Sequence, residues 1–345
     1  MNKALLIYNP KAGSASGPEL WLGQCVHRMC TEGNYQTTVL STRADTNSAN
    51  LLDNQNDDYQ LYVAAGGDGT VRMVIDALAK KNSQANIAVV PLGTGNLLAR
   101  NLAVFEESLL TDPVEKAIDI LLRGQPRAID LGILNGHYFA AAAGAGPLSD
   151  AIVTPDRRDK ENWKMLAYAG SMMQTLAQPP VHFKVTADGE IFRISASGIF
   201  VTNIADLGVG MLSETASMYD GQLDLCILSP KEFGDYLHYG FHFATGSANL
   251  ITGGKAPYYT KKVRSVDIEV VPKKRPLSFL QQGWSKIKAS LSGQPQANRS
   301  IGQVPENQVL AMIDGDACGT TPIHIEAVPA KIKIMCPAPE SPRRN

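Results

Sequence analysis

The chain has few of the features that mark nucleic-acid-binding, secreted or metal-clustered proteins. Its net charge is -1, and because binding to a phosphate backbone needs a clear basic excess, we expect no nucleic-acid partner. The five cysteines are odd in number and form no CxxC pair. This favours free thiols in a reducing compartment over a disulfide frame or a zinc site. The six histidines show no metal-ligand spacing either.

Long apolar runs and the common phosphate-binding signatures are also missing. The N-terminal apolar run ends at residues 9–10, so no signal peptide is expected. The stretch at 140–148 is too short to cross a bilayer, which takes about 20 residues. There is no Walker A sequence and no protein-kinase HRD or DFG signature. We therefore expect a cytoplasmic protein in which other loops hold any phosphate ligand.

The most informative motif is GGDGT at 66–70, which follows the apolar run 61–65. Its glycines let the backbone turn through positive φ and approach an anionic ligand, and a helix that starts at Thr70 would point its positive end there. Asp68 would then face magnesium or the ligand. The alternative is a tight strand-to-helix turn in which Asp68 is only a helix N-cap.

Two further apolar runs end in similar turns. Residues 87–90 lead into PLGTGNLLARNL at 91–102, and residues 5–8 lead into NPKAG at 9–13. Three apolar runs that each end in a small-residue turn predict strands whose carboxyl ends share one site, which is where open α/β sheets bind nucleotides.

The pattern of elements changes near residue 128. Before it, strands and helices alternate, which predicts a doubly wound, Rossmann-like domain over 1–127. After it, hairpins with Asn135-Gly136 and Asp188-Gly189 turns predict an antiparallel β-sandwich. The predicted strands lie at 4–8, 35–40, 60–65, 86–90, 128–134, 137–142, 181–187, 190–201, 222–229, 263–271 and 308–314, and the predicted helices at 18–32, 70–81, 95–102, 113–123, 160–178 and 231–247.

The motifs together resemble one family. With IDLGILNGHYFAAAAGAGP (129–147), MYDGQLDLCIL (218–228) and IDGDACGTTPIHIEAVPAKIKIMCP (313–337), the three loops are similar to the diacylglycerol kinase catalytic family and, within it, to soluble bacterial lipid kinases. The wider superfamily includes sphingosine kinases and NAD kinases. The resemblance implies that the last strand, 331–335, returns to the first domain. The domains would then be 1–127 with 326–345, and 128–325, with the active site in the cleft between them.

The resemblance also assigns the nucleotide site. It implies ATP contacts at Asn9, Pro10, Lys11, Gly13, Thr42, Gly66, Gly67, Asp68, Gly69, Thr70, Arg72, Gly93, Thr94, Gly95 and Asn96. Phosphoryl transfer needs the γ-phosphate held in line, its charge neutralised by metal and a base for the incoming hydroxyl. Asp68 would organise Mg²⁺ around the phosphates.

Two acids are candidates for the base. Asp314 and Asp316 stand where the family usually carries Asp-Gly-Glu, so the second acid is one methylene shorter here, about 1.5 Å. Both remain candidates, and a plain turn is the alternative. Leu97 replaces an aspartate that many relatives carry.

A second magnesium site is implied in the second domain. Bacterial members bind a magnesium ion in the loop that corresponds to 217–222, where Asp220 would give its side chain and Ser217 and Gln222 would contribute oxygens. The alternative is a solvated turn without an ion.

Residues 272–306 interrupt the strand pattern and look like an insertion. Leu280, Trp284, Ile287 and Leu291 share one helical face, and residues 261–288 carry eight basic and two acidic side chains. A basic amphipathic helix with a tryptophan suits an anionic membrane surface, so 272–292 could dock the enzyme there. Alternatively the apolar stripe packs on the sandwich.

The expected function is that of an ATP- and Mg²⁺-dependent lipid kinase. It would phosphorylate a hydroxyl of diacylglycerol or a related lipid during transient contact with the inner membrane face. The alternatives are an NAD kinase-like enzyme and a non-catalytic lipid-binding homologue. A homodimer is compatible with the sequence, which carries no feature that sets the oligomeric state.

Overall fold

The computed structural model describes residues 2–12, 18–55, 58–105, 112–147, 180–207, 212–229, 259–272 and 307–338. Two predicted helices, at 160–178 and 231–247, lie outside the described residues. So do Gly13 and the proposed membrane-docking segment from residue 273 onward.

The described residues contain helices α1 to α4 and strands β1 to β16. In chain order they are β1 (Asn2–Tyr8), α1 (Pro18–Thr31), β2 (Tyr35–Ser41), β3 (Leu61–Gly66), α2 (Asp68–Lys80), β4 (Asn86–Pro91), α3 (Leu97–Asn101), α4 (Pro113–Arg123), β5 (Gln125–Leu134), β6 (His137–Phe139), β7 (Ala142–Ala145), β8 (Val181–Ala187), β9 (Glu190–Ala196), β10 (Gly198–Thr202), β11 (Leu223–Leu228), β12 (Tyr259–Val263), β13 (Ser265–Val270), β14 (Leu310–Ile313), β15 (Asp316–Thr320) and β16 (Ile323–Cys336).

The N-terminal half forms a parallel sheet in the order β2-β1-β3-β4. Every residue of β3 is buried, as expected for a parallel strand that is covered on both faces. The helices supply that cover: α1 contacts β2 and α4, α2 contacts β3 and β6, and α4 contacts β4. Because the four strands run the same way, their carboxyl ends lie at one edge of the sheet.

The last strand joins the two halves of the molecule. The C-terminal part of β16 pairs in parallel with β4 through Lys333 and Ile334, while its N-terminal part pairs with β13 and its other edge with β5. This pairing brings residues 333–334 beside β4 of the parallel sheet, where the resemblance implied that the last strand would lie. The exact boundaries at 127 and 326 stay predictions, since one ten-stranded sheet continues across them.

A second sheet completes the sandwich. It has six strands in the order β12-β11-β10-β7-β14-β15, and its neighbouring strands pair antiparallel. Phe183 and Ile268 of the first sheet form one buried core with Leu225 and Ile313 of the second. The predicted fold class, a doubly wound α/β domain followed by an antiparallel β-sandwich, is confirmed.

Both predicted hairpin turns are present, but the second strand of each hairpin is shorter than predicted. Asn135 and Asp188 have φ of 48°, and the glycines after them have φ of 86° and 85°, as type I′ turns require. The predicted strands 137–142 and 190–201 each divide between the two sheets. The first divides after Phe139, where backbone N–H groups turn to a carboxylate instead of a strand (below). The second divides at the buried Ser197.

Other differences are local. The predicted helix 95–102 begins only at Leu97, because Asn96 takes a left-handed conformation with φ of 50°, which interrupts right-handed helix. Strand β12 and strand β15 were not predicted, since both are short and partly exposed.

Candidate active site

Four loops meet at the carboxyl edge of the parallel sheet. The Asn9 N–H donates to Ala65 O at 3.2 Å, and the Leu92 N–H donates to Gly66 O at 3.0 Å, so the ends of β1, β3 and β4 are tied together. The Thr42 N–H donates to Tyr8 O at 2.9 Å, which places the end of β2 beside them. The structure therefore brings the described parts of all the predicted ATP-binding loops to one edge.

Two of these loops touch through glycine. A Cβ atom on Gly93 would lie 2.5 Å from the Gly67 Cα, a distance that no side chain could accept. Thr70, at the start of α2, closes over Gly66 in the same way and is itself buried. Glycine is thus required at 93 for close packing of the loops, and a Cβ on Gly67 would be tight, at 3.3 Å from the Gly93 Cα.

Asp68 joins the same two loops through its carboxylate. Oδ2 accepts the Asn96 N–H at 2.9 Å, and Oδ1 accepts the Leu97 N–H at 2.6 Å. Burial raises the pKa of Asp68 above its usual value, and these two backbone bonds oppose the rise without cancelling it. The N-cap of α2 is Gly67, so the alternative in which Asp68 only caps its own helix is wrong.

The loop before α3 is braced from inside. The Asn96 side chain accepts the Gly93 N–H at 2.9 Å and donates to Gly93 O at 2.8 Å, and it is buried. Arg100, which the sequence did not single out, donates from Nε to Gly95 O at 2.8 Å. Thr94 is exposed between these contacts, which suits the ligand contact predicted for it.

Asp314 lies in the turn between two strands of the sandwich, where backbone N–H groups surround its carboxylate. It takes the first position of a two-residue turn between β14 and β15, with φ of 48° followed by 85° at Gly315. Its carboxylate accepts backbone N–H groups from Ala142 at 2.8 Å, Ala141 at 3.1 Å and Ala140 at 3.4 Å. Burial raises the pKa of Asp314 to about 6, although these three bonds and the charge of Arg72 act in the opposite direction.

Asp316 lies at the open side of the same turn. Its Oδ2 accepts a hydrogen bond from Arg72 Nη2 at 2.8 Å, and its side chain is 52% exposed. A Cβ on Gly69 would lie 3.6 Å from the same oxygen. The ion pair therefore links the hairpin of the sandwich to the GGDGT segment and α2, even though one methylene is missing compared with glutamate.

One cleft is lined by residues of both the GGDGT motif and the IDGD motif at 313–316. It is lined by Asp68, Val71 and Arg72 on one side and by Ala140, Ala141 and Asp314 on the other, with Leu97 and Leu98 at its end. The predicted catalytic residues Asp68 and Asp314, separated by 246 positions in the chain, thus line the same space.

The predicted magnesium loop in the sandwich has a different arrangement. Lys262 of β12 donates from Nζ to Asp220 Oδ2 at 2.6 Å, to Asp224 Oδ2 at 3.3 Å and to Thr215 O at 2.8 Å. Burial acts to lower the pKa of Lys262. The hydrogen bond to Asp220 and the charges of both aspartates outweigh it, so the pKa is raised.

The other predicted ligands in this loop are also engaged locally. Asp220 Oδ1 accepts the Gln222 N–H at 3.0 Å, and Ser217 Oγ accepts the Tyr219 N–H at 3.3 Å. Magnesium favours six oxygens at 2.0–2.1 Å, whereas here an ammonium already contacts the one carboxylate of the predicted set. Within the part of the chain that the structure describes, no group of three or more His, Cys, Asp or Glu is placed to hold a metal ion.

Asp130 of β5 is buried, and its carboxylate accepts two backbone N–H groups. Its Oδ2 accepts the Gly221 N–H and its Oδ1 accepts the Ala330 N–H, both at 2.7 Å. It therefore connects β5, the loop that contains Asp220, and the point where β16 passes between the two halves of the molecule.

The fold and the cleft define a class of protein in which glycine loops of an α/β sheet face acids on a β-sandwich. The diacylglycerol kinase catalytic domain family matches residues 3–134. A diacylglycerol kinase of Bacillus subtilis is 30% identical over 242 residues, which are 69% of this chain and 77% of the relative. One from Staphylococcus saprophyticus is 29% identical over 246 residues, 68% of this chain and 76% of the relative.

A solved structure shares the fold of this chain. The crystal structure of a diacylglycerol kinase from Bacillus anthracis superposes with a TM-score of 0.69 at 19% identity and covers 97% of both chains. This chain belongs to the diacylglycerol kinase family and is a lipid kinase. Among the described residues, no helix is long and apolar enough to span a membrane. All five cysteines lie in described segments and are free thiols, as predicted.

Proposed function

We propose that this protein transfers the γ-phosphoryl group of ATP to a hydroxyl of diacylglycerol or a related lipid at a membrane surface. The observation that carries the proposal is the single cleft that brings Asp68 and Arg72 of the phosphate-loop region opposite Asp314 of the sandwich. Family membership makes lipid phosphorylation the preferred activity. The NAD kinase-like and non-catalytic alternatives are therefore set aside.

Asp314 is the preferred base. With a pKa of about 6, its carboxylate is mostly ionised near neutral pH, yet it is more basic than an ordinary aspartate, which suits proton transfer at that pH. The lipid hydroxyl oxygen would form its bond to the γ-phosphorus as its proton passes to Asp314. The bond from the phosphorus to the bridging oxygen would break, and ADP would leave.

Arg72 contacts Asp316 and, in this proposal, also the phosphoryl group that is transferred. Its Nη2 holds Asp316, and its Nε–H is buried without an acceptor among the described residues. A guanidinium with a free N–H in the cleft can donate to a phosphate oxygen and offset developing charge. In this proposal Arg72 binds the transferring group, and Asp316 orients Arg72.

Asp68 fits a role beside magnesium. Its oxygens accept the Asn96 and Leu97 N–H groups, and since an ionised carboxylate offers about four acceptor sites, it can accept a further ligand. Since the described residues supply no further carboxylate cluster, the remaining ligands would be nucleotide phosphates and water, the usual arrangement for this ion. Bound magnesium would neutralise charge on the β- and γ-phosphates.

The test of this function is incubation of the full chain with labelled ATP, Mg²⁺ and a panel of lipids in mixed micelles. We expect label in the phosphorylated form of a diacylglycerol or a close relative, and none without Mg²⁺. Label transfer to NAD instead of any lipid would contradict the proposal. A cytoplasmic location with transient contact at the inner membrane face, and the option of a homodimer, stay predictions.

Membrane contact through 272–292 is a further part of the proposal, drawn from the sequence alone. We expect the wild-type protein to co-sediment with anionic vesicles at low salt and to be released at high salt, because each basic residue near an anionic surface contributes about 1 kcal/mol. Trp284→Ala combined with Lys286→Glu and Lys288→Glu should reduce sedimentation markedly. The matched control is Arg193→Glu with Lys333→Glu, which alters net charge equally at exposed positions of described strands. Equal sedimentation of the two variants would show that this segment does not dock the protein.

A further inference from the structure

A lysine of the neighbouring strand β12 supplies a cation to the segment 213–224 of the sandwich. Lys262 Nζ lies within 2.6–3.3 Å of two carboxylates and a backbone carbonyl. Asp224 and Lys262 are direct partners in the pairing of β11 with β12. The backbone register therefore places this lysine beside the loop, independently of any ligand.

The second carboxylate is deeply buried and fully engaged. Asp224 is 1% exposed, and its Oδ1 accepts the hydroxyls of Ser213 at 2.8 Å and Thr215 at 2.6 Å. A buried carboxylate needs a positive partner, or it carries a large desolvation cost. Lys262 is that partner for Asp224, and the same ammonium also contacts the exposed Asp220.

A divalent ion would compete directly with this arrangement. A magnesium ion bound to Asp220 Oδ2 would lie about 2 Å from that oxygen. The Lys262 Nζ atom already lies 2.6 Å from the same oxygen. The two cations would repel each other across one oxygen. Lysine and metal are therefore alternatives at this loop.

We propose that the Lys262 ammonium replaces a resident metal ion in this protein, so that the 213–224 loop is assembled without any divalent cation. The consequence reaches the junction of the two domains. Asp130 ties Gly221 of this loop to Ala330 of β16, so the lysine helps to hold the strand that connects the sandwich to the parallel sheet.

The test is thermal unfolding of the full chain without nucleotide, in EDTA and in Mg²⁺. We expect the Tm of the wild-type protein to be equal in both. Lys262→Met should lower the Tm in EDTA by roughly 5 °C or more, as for one broken, largely buried ion pair. Mg²⁺ should restore part of that loss, and the restoration should vanish when Asp220→Asn is added. Lys261→Met is the matched control, since Lys261 is the adjacent lysine and pairs with Glu190 instead.

Two results would overturn the proposal. One is a wild-type Tm that falls in EDTA, recovers in Mg²⁺ and loses this response in Asp220→Asn. The other is a Lys262→Met protein with an unchanged Tm. If Lys262→Met does not fold, equilibrium dialysis with Mn²⁺ decides between the two cations: equal binding by wild type and Asp220→Asn supports the lysine, and one extra ion on the wild type rejects it. This readout is independent of catalysis, so failure of the lipid-kinase assay would not affect it.

Discussion

Asp314→Asn is expected to lower kcat by at least about 100-fold, the loss typical of removing a general base. The fold should persist, because asparagine keeps the Oδ1 acceptor for the Ala141 and Ala142 N–H groups. The measurement is the initial rate with saturating ATP and lipid, accompanied by the Tm. Asp316→Glu, which restores the usual acid of the family, should be tolerated or improve the rate. An active Asp314→Asn together with an inactive Asp316→Asn would identify Asp316 as the base instead.

The pH dependence gives a second measurement of the same residue. Because the base must be ionised, kcat/KM should fall about tenfold per pH unit below the Asp314 pKa of about 6. The pH dependence of the folding stability that Asp314 contributes is opposite to that of most paired carboxylates, whose native pKa is lowered. A raised native pKa means that the folded state binds more protons, so this residue makes stability decline as pH rises between about 4 and 6. Asp314→Asn should therefore be no less stable than wild type at pH 8. A lower Tm of the variant at that pH would show that the charged form is stabilising.

Asp68→Asn is expected to reduce the rate by a comparable factor, about 100-fold or more, for two physical reasons. It removes the charge that faces magnesium and phosphates, a loss of the size found for preorganised electrostatic groups. It also places an NH₂ group against the N–H of Asn96 or Leu97, where the carboxylate now accepts both. The two loops at the carboxyl ends of β3 and β4 should then separate slightly.

The control for Asp68→Asn is Asp53→Asn. It makes the same change of charge at an exposed position outside the cleft. We expect Asp53→Asn to keep wild-type turnover. Circular dichroism should show the same secondary structure for both variants, since α2 is capped at Gly67. Near-normal turnover of Asp68→Asn would remove Asp68 from the phosphate site.

Local chemistry made the loops and turns predictable. Apolar runs at 5–8, 61–65 and 87–90 became the buried strands β1, β3 and β4, because continuous apolar runs suit parallel strands that are covered on both faces. The Asn-Gly and Asp-Gly pairs formed type I′ turns because those residues accept positive φ at low cost. The positions of the predicted phosphate loops at one sheet edge follow from the same parallel arrangement.

The split strands show where local pattern was insufficient. The pattern of residues 137–142 predicted one strand. In the structure the N–H groups of Ala140, Ala141 and Ala142 donate hydrogen bonds to the Asp314 carboxylate instead. The Asn96 side-chain amide pairs with Gly93 across the turn, a contact that the sequence did not indicate, while its predicted ligand contact stays a prediction. In both cases the partner of a polar group decides the local geometry, and the residue pattern does not reveal that partner.

The sequence by itself determined the family, the α/β and β halves of the chain, and the loops that carry Asp68 and Asp314, because these depend on residues close together in the chain. Only the tertiary structure decided which distant groups meet. Arg72 and Asp316 are 244 residues apart, and Lys262 reaches Asp220 across 42 residues. Such contacts are set by sheet order and strand register, which arise from packing of the whole core, and they decide which cation each carboxylate contacts.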